Sequence, residues 1–215
     1  MFEKFFKNLQ KKKLKDKNFE FLFDEYEGDE YVVVDTETTG LDRKKDDIIS
    51  IGAVIVKNNK ILLSKKFHIY VKPTKELSTE SIKIHKITPS MLKNAIDQES
   101  AIKEFLNFAK NRPLVGYYLE FDVAMLNRLT KKYLGIKLPN EQIEVSAIYY
   151  DKKIGLIPQK HIDLRFDSIM KDLNLPLIGK HDALNDAVMT AMIFIKLQNS
   201  IYKNGKWTNI VKSEK

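Results

Sequence analysis

Carboxylates at the end of an apolar run are the residues of this sequence best suited to chemistry. Asp35 and Glu37 follow residues 31–34, a β-branched and aromatic run that predicts a buried strand. Residues two apart on a strand point to the same side, so the two carboxylates would project together. Two anions this close favour a bound cation, and ligands that are all oxygen favour Mg²⁺ or Mn²⁺. The alternative is a strand end that turns into a solvated loop, with Asp35 capping it.

Two further acidic residues and a histidine lie downstream. Asp122 is at the start of a helix predicted at residues 121–134, where an acidic residue alone is ordinarily a favourable partner of the helix dipole. His181 and Asp186 would lie about 140° apart if both were helical, so we expect His181 on the loop before the helix. Asp182 shares a face with Asp186 and is a rival metal ligand, although we interpret it as an N-terminal helix residue.

These groups together form the set that two-metal phosphodiester hydrolysis requires. The carboxylates are Asp35, Glu37, Asp122 and Asp186, and the histidine is His181. In that reaction, two cations about 4 Å apart hold the attacking and leaving oxygens. The histidine would supply the base.

The periodicity of the chain predicts the elements that would position these groups. Strands are predicted at residues 31–34, 48–56, 62–71 and 114–118, with a tight turn at 57–60. Helices are predicted at residues 79–84, 89–96, 99–110, 121–134, 163–173 and 183–197, with a polar, turn-rich stretch from about 135 to 159. An antiparallel meander followed by alternating helix and strand predicts an α/β fold with a mixed sheet.

The charge of the chain is concentrated at its two ends. The formal net charge is +8; residues 1–17 carry seven Lys against two acidic residues, and residues 200–215 carry four Lys against one. The residues between them carry 26 basic and 26 acidic side chains, so the body of the protein is neutral. Only four of the 37 basic residues are Arg, the residue that base reading and tight phosphate recognition favour. We therefore interpret the net positive charge as a compositional bias towards lysine, in preference to a nucleic-acid-binding surface.

The composition also limits the classes of protein and the compartment. The absence of cysteine excludes a disulfide framework, a thiolate zinc site, a cysteine nucleophile and an iron–sulfur cluster. It fits a reducing cytoplasm, which is the location we expect. The most apolar stretch, residues 48–56, is far shorter than the roughly 20 residues of a membrane span.

We predict one domain at residues 26–199, a basic amphipathic N-terminal extension at 1–25 and a basic C-terminal tail at 200–215. The apolar residues of the extension have helical spacing, with lysines between them: Phe2, Phe5, Phe6 and Leu9. This predicted helix would pack on the domain surface or dock to a partner or an anionic surface.

Three motifs in the expected order resemble the DnaQ-like 3′–5′ exonucleases, the DEDDh group of the ribonuclease H-like superfamily, which includes the proofreading epsilon subunit of bacterial replicative polymerases. The first motif is matched by residues 35–41, the second by residues 116–122 and the third by residues 181–187. Residues 84–92 look like the segment that the family carries after its third strand. The resemblance spans roughly residues 31–198, and histidine at position 181 is similar to the histidine-type subgroup.

The resemblance implies a ribonuclease H-like mixed five-stranded sheet flanked by helices, and an exonuclease acting on a single-stranded nucleic-acid 3′ end. It implies two Mg²⁺ or Mn²⁺ ions per active site, with Asp35 bridging both. Glu37 and Asp186 would complete the more tightly held ion, and Asp122 would orient the shell of the second. His181 would take a proton from the attacking water, and the products would be nucleoside 5′-monophosphates.

The resemblance also implies substrate contacts. Thr38, Thr39 and Leu41 would contact the terminal sugar and its 3′-hydroxyl, and His85 would line the same cleft. Where many family members have His-Asn after the second-motif glycine, this chain has two tyrosines, and Tyr118 would stack on the terminal base.

Two other functions remain open at the level of sequence. One is an RNA-trimming exoribonuclease of the same family, which the sugar 2′-hydroxyl would distinguish. The other is a non-catalytic module that binds a polymerase or another protein through the N-terminal extension. The presence of all five catalytic positions favours an enzyme.

Overall fold

The computed structural model of the chain describes residues 2–154, 161–203 and 206–209. Its centre is a five-stranded sheet with the strand order β3-β2-β1-β4-β5. The strands are β1 (Glu30–Thr38), β2 (Ile48–Lys57), β3 (Lys60–Tyr70), β4 (Leu114–Gly116) and β5 (Gln142–Glu144). The first three form an antiparallel meander, whereas β4 pairs parallel with both β1 and β5. The predicted ribonuclease H-like mixed sheet is therefore confirmed.

Helices cover both faces of this sheet. The α-helices are α1 (Phe2–Lys13), α2 (Thr79–His85), α3 (Gln98–Ala109), α4 (Leu119–Leu134), α5 (Val145–Ile154), α6 (Phe166–Asp172) and α7 (Ala183–Gln198). Short 3₁₀ helices span Lys17–Phe23 and Met91–Asn94, and a hairpin of β6 (Ser200–Lys203) and β7 (Lys206–Asn209) follows α7. Among the described residues, no helix is long and apolar enough to cross a bilayer.

Strand β1 divides the core into two layers because its side chains alternate. Val32 and Val34 pack with residues of α3 and α4 on one face. Val33 lies on the other face and packs with residues of α5, α6 and α7. Even-numbered side chains on β1 therefore face α4, and odd-numbered side chains face α7.

The stretch predicted to be polar and turn-rich contains strand β5 and helix α5, and that part of the prediction is wrong. The three residues of β5 form a strand because they pair parallel with β4, a partner that is distant in sequence. Val145 and Tyr149, one helical turn apart, bury the inner side of α5.

Three other boundaries differ from the predictions. Instead of a helix at residues 89–96, a single 3₁₀ turn spans Met91–Asn94. The helix predicted from residue 163 begins at Phe166, since the Asp163 carboxylate accepts the backbone N–H of Arg165 and holds a turn before it. The strand predicted to reach residue 118 ends at Gly116, because Tyr118 has a left-handed φ of 55° and precedes α4.

The N-terminal segment packs on the far end of α4. Leu14, Phe19 and Leu22 are buried in the α3/α4 layer of the core. For residues 2–6 the structure describes the backbone only. The apolar face predicted for Phe2, Phe5 and Phe6 therefore lies outside what is described.

Helix α7 crosses β2 at Gly52, which neighbours Asp35 in the β1–β2 register. A Cβ atom at Gly52 would lie 2.2 Å from both the Ala183 carbonyl carbon and the Leu184 nitrogen. Only glycine permits this approach, so the first turn of α7 lies directly against β2, beside the strand that carries the acidic pair.

Candidate active site

Three carboxylates from two elements converge at the end of strand β1. Asp35 and Glu37 lie on β1, and Asp186 lies in the first turn of α7. One oxygen from each side chain lies within 4.8 Å of the others. The prediction that Asp35 and Glu37 project to the same side, together with Asp186, is therefore confirmed.

Asp122 approaches the cluster from the other face of the sheet. It is buried in the first turn of α4, as predicted, and its Oδ1 accepts two hydrogen bonds from Thr36. The Thr36 backbone N–H donates at 2.9 Å and its hydroxyl at 2.6 Å. Adjacent side chains on a strand point to opposite faces, so Thr36 faces α4 whereas Asp35 faces α7. Asp122 is not one of the three residues whose oxygens lie within 4.8 Å.

His181 lies on the loop before α7, exposed, with a φ of 63°. Its backbone N–H donates to Asp186 Oδ2 at 2.9 Å, which brings the imidazole loop and the carboxylate together. Asp182 is the N-cap of α7, and its side chain accepts the Asn185 backbone N–H at 3.0 Å. The loop position of His181 and the capping role of Asp182 are both confirmed.

The carboxylates at this site are difficult to ionise without a cation. Burial, followed by repulsion from Asp122, Asp186, Glu37 and Asp182, raises the pKa of Asp35 well above its usual value. Burial first, then repulsion from Asp186, raises the pKa of Glu37 to about 8. Burial also raises the pKa of Asp122 to about 7, against the hydrogen bonds from Thr36. For Asp186, burial raises the pKa to about 6, although the His181 N–H opposes it.

These properties fit a divalent cation. The three converging ligands are carboxylate oxygens, which hard cations such as Mg²⁺ and Mn²⁺ prefer. A cation among them would offset the mutual repulsion that raises the pKa values.

A cavity of about 190 Å³ opens beside the cluster. Eight residues line it: Asp35, Tyr117, Phe166, Asp167, Lys180, His181, Asp186 and Thr190. Tyr117 is held across it, because its hydroxyl donates to the Leu164 carbonyl at 2.9 Å and its ring meets Phe166 edge-on at 5.0 Å. Asp35, His181 and Asp186 are the lining residues that sequence reasoning identified.

The predicted substrate residues at the end of β1 form an ordered loop. The Thr38 hydroxyl donates to the Gly40 carbonyl at 2.7 Å, and the Thr39 hydroxyl donates to Asp46 Oδ1 at 3.2 Å. Thr39 Oγ1 also accepts the Asp47 backbone N–H at 3.0 Å. Leu41 is 84% exposed at the tip of this loop.

The other two predicted substrate residues differ in exposure. His85 is buried; its Nδ1 accepts the Ile87 backbone N–H at 3.0 Å, and its Nε2 has no partner among the described residues. Burial, followed by the nearby His181, lowers the pKa of His85 and favours a neutral ring. Since Nδ1 is an acceptor, the proton of that neutral ring lies on Nε2. Tyr118 is 61% exposed, and its ring stacks on Phe121 with centroids 6.4 Å apart.

Sequence reasoning missed three residues that support the site. Thr36 could have been found, because strand alternation buries its hydroxyl and a buried hydroxyl needs a partner. Glu144, at the end of β5, accepts the Leu119 backbone N–H at 2.8 Å and so caps the N-terminus of α4. Lys180 contacts both oxygens of Asp167 at 2.7 and 2.5 Å at the cavity wall. The last two depend on elements that meet only in the folded chain.

A mixed sheet with this strand order, and carboxylates that converge at the end of its central strand, define a ribonuclease H-like nuclease domain. The family model RNase_T, described as exonuclease, matches residues 32–194. The chain therefore belongs to the DnaQ-like exonuclease family, as its motifs predicted.

Two relatives and one solved structure illustrate the similarity. The chain is 34% identical over 180 residues to a DNA polymerase III PolC-type protein of Thermotoga petrophila, covering 84% of this chain and 13% of that protein. It is 31% identical over 172 residues to a DNA polymerase III subunit epsilon of Aquifex aeolicus, covering 80% of this chain and 82% of that protein. The crystal structure of cell-death related nuclease 4 matches the fold with a TM-score of 0.69 at 19% identity, over 80% of this chain and 64% of that chain.

Proposed function

We propose that this protein is a metal-dependent 3′–5′ exonuclease. It hydrolyses the terminal phosphodiester of single-stranded DNA ends and releases nucleoside 5′-monophosphates. The observation that carries the proposal is the convergence of Asp35, Glu37 and Asp186 within 4.8 Å in a chain of the exonuclease family.

Two Mg²⁺ or Mn²⁺ ions are the proposed cofactors. Asp35 would contribute to both sites, Glu37 and Asp186 would complete one, and Asp122 would orient the other. When bound, such ions neutralise the phosphate charge and lower the pKa of water. The Thr36 hydrogen bonds leave Asp122 Oδ2 without a contact from Thr36, so this oxygen is the one proposed to face the cations.

His181 is the proposed general base. Its exposure and its place on the cavity wall give its ring access to a water at the scissile phosphate. The hydrogen bond from its backbone N–H to Asp186 supports this role, because it couples the position of the imidazole to a metal ligand. Histidine is the side chain that most often acts as a general base in enzymes, which supports this role.

The terminal nucleotide would be held by residues around the cluster. Thr38, Thr39 and Leu41 would contact the sugar and its 3′-hydroxyl, with Leu41 supplying an exposed apolar side chain at the loop tip. His85 would donate from Nε2, a buried atom that has no hydrogen-bond partner within the described part of the chain. Tyr118 would stack on the terminal base through its exposed ring.

DNA is the favoured substrate because both curated relatives described above are named as DNA polymerase III proteins. Those names also support a polymerase or another protein as a partner, bound through residues 1–25. The second candidate is an exoribonuclease with the same chemistry, since residues that read the sugar 2′-hydroxyl are not identified. A non-catalytic module is the third, and the acidic cluster opposes it.

The test of the substrate is a comparison of matched single-stranded DNA and RNA oligonucleotides labelled at the 5′ end. We expect DNA to shorten from its 3′ end one nucleotide at a time, only with Mg²⁺ or Mn²⁺ present. Asp35→Asn should abolish this activity, whereas Glu120→Gln, which changes an exposed acid near Asp122, should not. Faster degradation of RNA would support the second candidate. Activity of Asp35→Asn equal to wild type would overturn the metal assignment.

The test of the base separates proton transfer from metal binding. His181→Ala should lower kcat by about 10²- to 10⁴-fold, the usual contribution of a general base. Mn²⁺ affinity, measured by calorimetric titration, should change little, because the imidazole is not a proposed ligand. Loss of Mn²⁺ binding in this variant would refute the role.

A further inference from the structure

A cluster of lysines lies at the end of α4 remote from the acidic site. We call it the distal basic patch, and its five members are all exposed: Lys13, Lys15, Lys131, Lys132 and Lys137. No carboxylate lies within 4.0 Å of any of their ammonium groups in the part of the chain that the structure describes. This local excess of charge contrasts with the neutral body of the protein.

The patch is formed by the docking of α1 on the end of α4. The Lys15 backbone N–H donates to the Leu134 carbonyl at 3.0 Å, and its Nζ donates to the Lys132 carbonyl at 3.2 Å. The Lys137 N–H donates to the Gln10 side chain at 2.9 Å. Gly135 ends α4 at a φ of 76°, and a Cβ there would lie 2.7 Å from the Lys13 carbonyl oxygen. Lysines from distant parts of the sequence are thus held side by side.

Helix dipoles explain only part of this arrangement. Lys131 and Lys132 lie in the last turn of α4, and Lys13 lies in the last turn of α1, where cations are favoured. Lys15 and Lys137 lie outside both helices, so the helix dipoles do not explain their positions.

The outer side of α4 connects the patch to the active site. Phe121, Ala124 and Arg128, which are partly buried, and Lys131 and Lys132, which are exposed, fall within an arc of about 100° on this helix. Lys131 is nine residues after Asp122, so the patch begins about 13.5 Å along the helix axis from the acidic site. The face therefore passes from an aromatic ring near the cluster to cations at its far end.

We propose that the distal basic patch binds the phosphate backbone of the strand whose 3′ end lies at the acidic cluster. This inference rests on the proposed function and extends it to nucleotides upstream of the cleaved bond. Lysine is a point charge without the planar fork of arginine, so the contact would hold any sequence. A protein is disfavoured as the ligand of these lysines, because the centres of protein interfaces are enriched in aromatic residues and depleted of lysine. The protein partner proposed for residues 1–25 would instead dock through the apolar residues of that extension.

The test compares two triple variants of equal net charge. Lys13→Gln/Lys131→Gln/Lys137→Gln removes three lysines of the patch whose side chains make no hydrogen bond or ion pair with described residues. The control, Lys60→Gln/Lys65→Gln/Lys66→Gln, removes three exposed lysines of β3, the edge strand on the opposite side of the sheet. Binding of a fluorescent single strand of about 16 nucleotides is measured by anisotropy in a chelating buffer, so that hydrolysis does not interfere.

For single strands, the logarithm of the affinity falls with the logarithm of the salt concentration by about 0.7 per phosphate contact. Loss of three contacts should reduce this slope by about 2 and weaken binding about 100-fold at about 0.1 M salt. The control triple variant should bind like wild type. With Mg²⁺ added, the patch variant should hydrolyse an oligonucleotide of about 3 nucleotides at the wild-type rate, because a strand this short ends before it reaches the patch.

Equal affinity and an equal salt slope for the patch and control variants would overturn the inference. An acidic polypeptide is then tested as a competitor of the oligonucleotide. Equal competition on wild type and on the patch variant would support the inference. Stronger competition on wild type, together with equal oligonucleotide affinity for wild type and variant, would overturn it. The proposed function fails separately, if wild type hydrolyses neither the short nor the long substrate while still binding the long one.

Discussion

Gly52→Ala should impair catalysis strongly in a protein that still folds. The Cβ of the new residue would lie 2.2 Å from backbone atoms of Ala183 and Leu184, whereas ordinary contact begins at 3.4 Å. The first turn of α7 would therefore have to retreat from β2 by about 1.2 Å. That turn is flanked by His181 and Asp186, which face Asp35 across the site.

The two expected effects are similar in free energy but differ in consequence, since a folded protein tolerates a small loss of stability whereas the rate falls in full proportion. Overpacking of this kind costs about 1–3 kcal/mol of the free energy of unfolding. A displacement of about 1 Å at reacting groups costs about 10²-fold in rate, which is about 2.7 kcal/mol of transition-state stabilisation. We therefore expect a folded Gly52→Ala protein with kcat reduced about 100-fold and weaker Mn²⁺ binding.

The assay needs a control that destabilises the same strand without moving α7. Ile55→Val creates a small cavity on the opposite face of β2, in the layer that packs on α3 and α4, and should cost about 0.5–1.5 kcal/mol of unfolding free energy. Urea unfolding and steady-state hydrolysis are measured for both variants. Ile55→Val should keep its kcat at a temperature where it is folded.

A second substitution makes the reasoning more stringent. The clash involves the backbone of α7, so deleting the side chain of residue 183 in the double variant Gly52→Ala/Ala183→Gly should not restore the rate. Full kcat in Gly52→Ala, or rescue by Ala183→Gly, would refute the geometric explanation.

Two other predictions concern the acidic residues. Thr36→Val removes the hydroxyl that donates to Asp122 at 2.6 Å and should raise the pKa of Asp122 further, because a hydrogen bond to the charged form is lost. The acidic limb of the pH–rate profile should therefore move to higher pH. An acidic limb at the wild-type pH would contradict this prediction. Because the pKa of Glu37 rises from 4.5 to about 8 on folding, the folded protein binds the extra proton, and the free energy of unfolding in chelating buffer should fall as pH rises from about 5 to about 8. Glu37→Gln should flatten that decline and saturating Mn²⁺ should oppose it, whereas stability that rises over this window in wild type and variant alike would contradict the assignment.

Local sequence predicted the part of the site that one strand or one helix turn determines. The spacing of Asp35 and Glu37 on β1 predicted their shared side, and the spacing around Asp182 predicted its capping role. Both predictions needed only the geometry of a single element. They were correct because no distant residue was required to define them.

The parts that were missed depend on contacts between elements. Strand β5 has three residues and becomes a strand through pairing with β4, so its own sequence has too little length to signal it. Glu144, at its end, caps α4 only because that pairing brings it there. The motif order did identify Asp122, but not the Thr36 bond that fixes its orientation, because that bond joins residues 86 apart in the chain.

The central claim is that Asp35, Glu37 and Asp186 form one cation-binding centre for hydrolysis at a 3′ end. Anomalous scattering from crystals of the protein soaked with Mn²⁺ and a nucleoside 5′-monophosphate tests it most directly. We predict manganese peaks within ligand distance of oxygens from all three side chains, with the phosphate of the nucleotide beside them. Manganese bound elsewhere, with the three carboxylates contacting only water while the nucleotide is present, would contradict it.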